Sequence, residues 1–200
     1  MKAEHSPLVL EIRERIRQEG AIPFAAFMDM ALYHPRWGYY VQKRGKWGRR
    51  GDYATSPGIS PVFGRLLAKQ VYQMWESMGC PDPFHVVEGG AGEGRLALEF
   101  LKKTAVDYPS FHRTLTYTVW DRQPELLAES LDLGALARAG LDSKVTRGSS
   151  LKDLPAGWEG VILSNELLDS FPVHWMRVHQ GRLQEIHASC PEDRFIPVLD

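Results

Sequence analysis

Residues 86–100, VVEGGAGEGRLALEF, constrain this chain more than any other stretch. An apolar run ends in Glu88, glycines follow at every second position (Gly90, Gly92, Gly94), and a helical pattern begins at once. Glycine in such a place permits left-handed backbone and lets a ligand approach the main chain. A strand that runs into a glycine turn and then a helix is the ligand-binding corner of an open parallel sheet.

The sequence around it predicts that sheet. FHVVE reads as a buried strand and GRLALEFLKKTA as a helix with Leu96, Phe100 and Leu101 inward. LTYTVWD is a second strand, PELLAESLDLGALARAG a helix, SKVTRG a short third strand and GVILSNE a fourth. Strands alternating with helices predict an α/β fold with a parallel sheet covered on both faces. The last part differs, because two alternating runs meet at Gln180-Gly181 and predict a β-hairpin.

The glycine spacing selects the ligand. A dinucleotide site uses G-x-G-x-x-G, which sets a pyrophosphate on a helix N-terminus. Here the pattern is E-x-G-x-G-x-G, with Glu88 ahead of the glycines. An acid is unfavourable beside a pyrophosphate and favourable beside an ammonium or sulfonium, and S-adenosylmethionine carries both. Asp121, at the end of the second strand, stands where such sheets place an acid for ribose hydroxyls. Ser149, Ser150 or Leu151, after the third strand, could border an adenine ring. The fourth strand delivers Asn165, Glu166 and, one turn on, Asp169 to the same edge. Glu166 and Asp169 share a face if that segment is helical. Each group also has a plainer use: a packing turn for the glycines, a cap for Asp121, turn formation for the serines, helix capping for Asn165 and its acids.

The first eighty residues read as a mainly helical cap. SPLVLEIRERIRQEG places Leu8, Ile12 and Ile16 on one face, with Ser6 as N-cap, Pro7 at the first helical position and Gly20 closing. PFAAFMDMALYH is a second helix stopped at His34-Pro35. SPVFGRLLAKQVYQMWESMG opens at Ser60-Pro61, carries Phe63, Leu67, Val71, Trp75 and Met78 as its stripe, and ends at Gly79. Between them, RWGYYVQKRGKWGRRGDYATSPGI predicts a hairpin or long loop. The expected division is a cap over residues 1–80 and a core over residues 81–200.

Totals narrow the function classes. A net charge of -1 offers no general attraction to nucleic acid or acidic lipid. KRGKWGRRG, residues 43–51, is the one basic and aromatic stretch that could track phosphates, and a solvated loop is its ordinary meaning. Two cysteines and seven histidines show no metal-ligand spacing, so no metal is expected. No run approaches membrane-spanning length, and MKAEHSPLVLEIRERIRQEG lacks a signal-peptide core and carries four glutamates, which predicts a cytoplasmic protein.

VVEGGAGEG and NELLDSFPV together resemble class I S-adenosylmethionine-dependent methyltransferases. The family in question includes the mitochondrial arginine methyltransferase needed for assembly of respiratory complex I. FMDMALYHPRWGYY, GDYATSPGISPVFGRLLA and HWMRV carry the likeness from roughly residue 22 to residue 187. The resemblance implies a Rossmann-like sheet with an N-terminal helical cap and S-adenosylmethionine as cofactor. It implies that Glu88, Gly90 and Gly92 line the methionine and ribose part, and that Asp121 holds the ribose. Asp52, Thr55 and Ser56 would close over the cofactor, and Asn165, Glu166 and Asp169 would face a protein substrate, a respiratory-complex subunit by analogy. Tyr53, Gly58, Ala91 and Asp121 depart from the family's usual Phe, Glu, Pro and Glu. Family members run well past 200 residues, so a fragment or a shortened relative is implied. Two functions fit: arginine methylation of a protein, or a catalytically silent S-adenosylmethionine-binding assembly factor.

Overall fold

The computed structural model describes residues 6–41, 60–122, 131–148, 152 and 154–199. The elements run α1 (Pro7–Glu19), β1 (Ile22–Pro23), α2 (Phe24–Tyr33), α3 (Pro61–Ser77), β2 (Phe84–Gly89), α4 (Arg95–Asp107), α5 (Pro109–Thr114), β3 (Leu115–Trp120), α6 (Leu133–Arg138), β4 (Val145–Gly148), β5 (Gly160–Ser164), β6 (Met176–His179), β7 (Arg182–Ser189) and β8 (Ile196–Leu199). The fold is mixed α/β. Its contacts form two compact units, Met1–Arg44 with Leu168–Asp200, and Gly45–Leu167.

The Gly45–Leu167 unit contains the expected parallel sheet, in the order β4-β3-β2-β5. Strand β2 pairs in parallel with β3 from Phe84↔Leu115 to Gly89↔Trp120, and with β5 from His85↔Gly160 to Gly89↔Ser164. Alternation puts Phe84, Val86 and Glu88 on the face shared with Leu115, Tyr117 and Val119. Those apolar side chains join Phe100, Leu101 and Phe111 from α4 and α5 and Ala68, Val71 and Trp75 from α3 in one core.

Helix α3 opens as its sequence predicts, with Ser60 Oγ accepting from Val62 N and Pro61 in the first turn. Its buried face is Gly64, Ala68, Val71 and Trp75, while Met78 of the expected stripe is exposed. The face is shifted because α3 packs tightly on α4. A methyl at Gly64 would stand 3.0 Å from Glu99 Cβ and 3.2 Å from the Leu96 carbonyl oxygen. Helix α3 thus belongs with the parallel sheet, so the division found here does not fall at residue 80.

The other unit is built on an antiparallel sheet. Strands β6 and β7 form the expected hairpin, with His179↔Arg182 as its last pair and Gln180 and Gly181 at φ 49° and 74°. Positive φ at both positions fits the right-handed twist of the flanking strands. Strand β7 continues past the hairpin to pair with β1 at Ile22↔Ala188 and with β8 from Ile186↔Leu199 to Ser189↔Ile196. Helix α1 starts as predicted, Ser6 Oγ accepting from Val9 N, and Gly20 N–H closes it on the Ile16 carbonyl. Ile12 and Ile16 meet Ile22 and Ala188 in a second, smaller core.

Candidate functional site

At the carboxyl edge of the parallel sheet, three strand ends lie side by side. Gly89, the last residue of β2, is in register with Trp120 of β3 and Ser164 of β5. The next residues are therefore the glycine turn, Asp121 and Asn165, the three groups that the sequence predicts at one edge. Gly90 N–H donates to the Trp120 carbonyl oxygen at 2.8 Å, which ties the turn to the end of β3. Asp121 is half-buried there, as is Asn165 beyond β5.

The turn needs its glycines for different reasons. Gly90, Gly92 and Gly94 have φ of 71°, 54° and 73°, a region that L side chains enter at a cost of about 1–2 kcal/mol. Gly94 is the N-cap of α4, and a Cβ there would collide with Leu131 Cδ1, so this glycine serves packing. A Cβ at Gly90 would stand 3.0 Å from Leu167 Cδ1. At Gly92 a Cβ would meet nothing within 4 Å among the described residues. Among the described residues, no side chain caps the N-terminus of helix α4. Its leading N–H groups and positive dipole end face the turn.

Glu88 lies beneath the turn, on the helix-covered face. It is 4% exposed, and the hydroxyl of Tyr117 donates to its Oε2 at 2.8 Å. Burial raises the carboxyl from its ordinary value of 4.5 to about 7, and the Tyr117 bond pulls the other way. The Tyr117 hydroxyl is itself pushed well above its usual range by burial and by the neighbouring carboxylate.

The segment after β5 differs from one of its expected forms. Glu166 has φ of 52°, which no α-helix contains, and only Leu168–Ser170 forms a short 3-10 turn. The i, i+3 facing of Glu166 and Asp169 therefore loses its helical basis. Both acids are exposed, and Asp169 lies in the stretch Leu168–Asp200 that belongs to the other unit. Asp52, Thr55, Ser56, Ser149, Ser150 and Leu151 lie outside the described residues, as do the basic stretch 43–51 and residues 123–130 of the expected second helix. In what is described of that helix, Asp132 starts a fresh one by accepting from Ala135 N.

Three residues at this edge escape the sequence reading: Tyr117, Leu131 and Leu167. The two leucines meet the turn from distant positions and leave no local signal. Tyr117 could have been found by aligning the two-residue alternation of LTYTVW with that of FHVVEG, which puts it on the face of Glu88.

A parallel sheet with a glycine turn after its first strand and acids after two neighbours defines a nucleotide-binding α/β protein. A family profile described as S-adenosyl-L-methionine-dependent methyltransferase matches residues 66–198. The chain belongs to that family, whose cofactor is S-adenosyl-L-methionine. It is 31% identical to a Burkholderia thailandensis protein crystallised with S-adenosyl-homocysteine, with a TM-score of 0.81 over 99% of this chain and 50% of that one. Among curated proteins, the Drosophila melanogaster "Protein arginine methyltransferase NDUFAF7 homolog, mitochondrial" is 32% identical over 92% of this chain and 46% of its own length. The Rattus norvegicus "Protein arginine methyltransferase NDUFAF7, mitochondrial" is also 32% identical, over 84% of this chain and 42% of its own length. The chain thus spans less than half the length of these curated relatives.

The cytoplasmic expectation is corrected by the same comparison, because the Drosophila, Rattus and Mus relatives are named as mitochondrial proteins. It rested on features missing from the first twenty residues, and their absence does not specify a compartment. Among the described residues, no helix is long and apolar enough to cross a membrane.

Proposed function

We propose that this protein binds S-adenosylmethionine at the turn between β2 and α4 and transfers its methyl group to an arginine side chain of a protein. The observation that carries the first half is the Gly90 to Trp120 hydrogen bond, which fastens the glycine turn beside Asp121. Gly92 offers the close backbone approach, Asp121 an acceptor for ribose hydroxyls, and Glu88 a negative charge for the cationic end of the cofactor. Arginine as the acceptor is supported by the names of the curated relatives.

Bound there, the cofactor supplies a methyl group already activated by a sulfonium leaving group. The chain's own residues must then position the acceptor and hold its charge. A guanidinium is planar, cationic and not deprotonated in water, so its charge has to be localised away from the attacking nitrogen. A carboxylate does this by charge-assisted hydrogen bonds. Glu166 is assigned that task, with Asn165 orienting through its amide and Asp169 as the further acid in the sequence. Asp52, Thr55, Ser56 and Ser150 keep the cofactor-contacting roles that the family resemblance implies, and the partner is a protein.

The test is transfer of a tritiated methyl group from S-adenosylmethionine to arginine-containing peptides and to lysine-substituted copies. Label recovered as methylarginine, and lost in Glu166→Gln with cofactor affinity unchanged, is expected. Label in the lysine copies instead would overturn the arginine assignment.

A further inference from the structure

Glu88 is a carboxyl group that the sheet buries almost completely, two residues before the turn begins. Its register partners are Val119 on β3 and Leu163 on β5, both apolar. Helix α4 turns Leu96, Ala97 and Phe100 inward over the same face. Tyr117, 0% exposed, gives it a hydrogen bond. Past the turn, Glu93 and Arg95 pair with each other at 2.8 Å, Arg95 lying largely in solvent. A carboxylate in such surroundings is poorly solvated and carries a proton at a pH where exposed acids do not. A cation arriving nearby favours the ionised form.

We propose that Glu88 and Tyr117 form a proton-linked pair under the glycine turn: the Glu88 carboxyl gives its proton to solvent as the cationic nucleoside seats, and Tyr117 is the positioning residue that holds the resulting carboxylate. The inference rests on the cofactor reading of that turn. Only the O–H bond of the carboxyl breaks, and the buffer takes the proton. Cofactor affinity is then tuned by pH across the neutral range, at a residue that makes no bond to the methyl acceptor.

Calorimetric titration with S-adenosylmethionine in two buffers of different ionisation enthalpy counts the protons exchanged. The wild-type chain is expected to release about half a proton near pH 7, and its Kd to tighten roughly ten-fold between about pH 6 and about pH 8. Glu88→Gln abolishes the release and flattens the profile. Tyr117→Phe moves the midpoint to higher pH, because the lost bond favoured the charged form. A merely structural role for Tyr117 would weaken binding equally at every pH. Thermal melting checks that both variants fold, and if Glu88→Gln does not, the wild-type count and Tyr117→Phe decide. Binding with no proton release and a flat profile overturns the inference and leaves the cofactor site standing. So does release that persists in Glu88→Gln. Absence of binding at every pH overturns the cofactor site itself.

Discussion

The amide of Gly90 donates to the carbonyl oxygen of Trp120 at 2.8 Å, so the first residue of the glycine turn is fixed against the last residue of the neighbouring strand. That bond fixes where Asp121, the residue after β3, stands relative to the turn. It also separates two roles within the turn. Gly90 and Gly94 are hemmed in by Leu167 and Leu131, whereas a Cβ at Gly92 would meet nothing within 4 Å among the described residues.

Gly92→Ala and Gly94→Ala should therefore differ. Both enter left-handed backbone at a cost of about 1–2 kcal/mol. Gly94→Ala also drives a methyl into Leu131 and should lose about 3 kcal/mol in all, measured by urea unfolding. Gly92→Ala should lose only the backbone cost, yet weaken S-adenosylmethionine binding at least ten-fold. Equal stability losses with equal binding would contradict the division of roles.

Glu88 makes stability fall as pH rises. Its carboxyl is raised from 4.5 to about 7 in the folded chain, so the folded state holds a proton that the unfolded chain has already lost in that window. Its contribution is complete below about pH 4.5 and is lost as pH rises through about 7. Glu88→Gln should gain relative stability across that window, on the order of 1–3 kcal/mol, and keep it unchanged at higher pH. Denaturant melts of the two chains at intervals from about pH 5 to about pH 8 would show it. A constant difference between them would contradict the assignment.

At Glu166 the backbone is left-handed without glycine, a conformation that costs about 1–3 kcal/mol and persists where the surroundings enforce it. Glu166→Gly should leave stability unchanged or raise it by about 1 kcal/mol while removing methyl transfer. Glu166→Gln should also remove transfer, without the stability gain. Full transfer in either variant would end the catalytic assignment.

The α3–α4 crossing predicts a pure packing effect. Gly64→Val would push against Glu99 Cβ and the Leu96 carbonyl, and should destabilise the chain by about 2–3 kcal/mol. Cofactor affinity of the folded fraction should stay unchanged.

The legible parts of this fold are those whose signals are local. Ser6 and Ser60 cap helices through side chains that need only the next few residues, and the hairpin turn needs only Gln180 and Gly181. Strand β2 shows as a short apolar run because β3 and β5 flank it and nearly all of its residues are buried. Pairing across long separations leaves no such trace. Strand β1 is two residues long and meets β7 only after most of the chain has intervened, so IP in the sequence carries no strand pattern. Strand β8 likewise borrows its conformation from β7. At the candidate site, the placement of Glu88, the glycines and Asp121 at one sheet edge is legible because each stands at or just past the end of a strand. Tyr117 is not, since its partner lies on another strand. The left-handed φ of Glu166 is set by its surroundings, and no residue preference announces it.

One measurement decides whether the β2–α4 turn with Asp121 is an S-adenosylmethionine site. The most direct test is calorimetric titration of the purified chain with S-adenosylmethionine, beside Asp121→Ala, with NAD as the control ligand. Binding with a Kd on the order of micromolar, weakened at least ten-fold in Asp121→Ala and absent for NAD, is the predicted result. Binding of NAD in place of S-adenosylmethionine, or of neither, would contradict it.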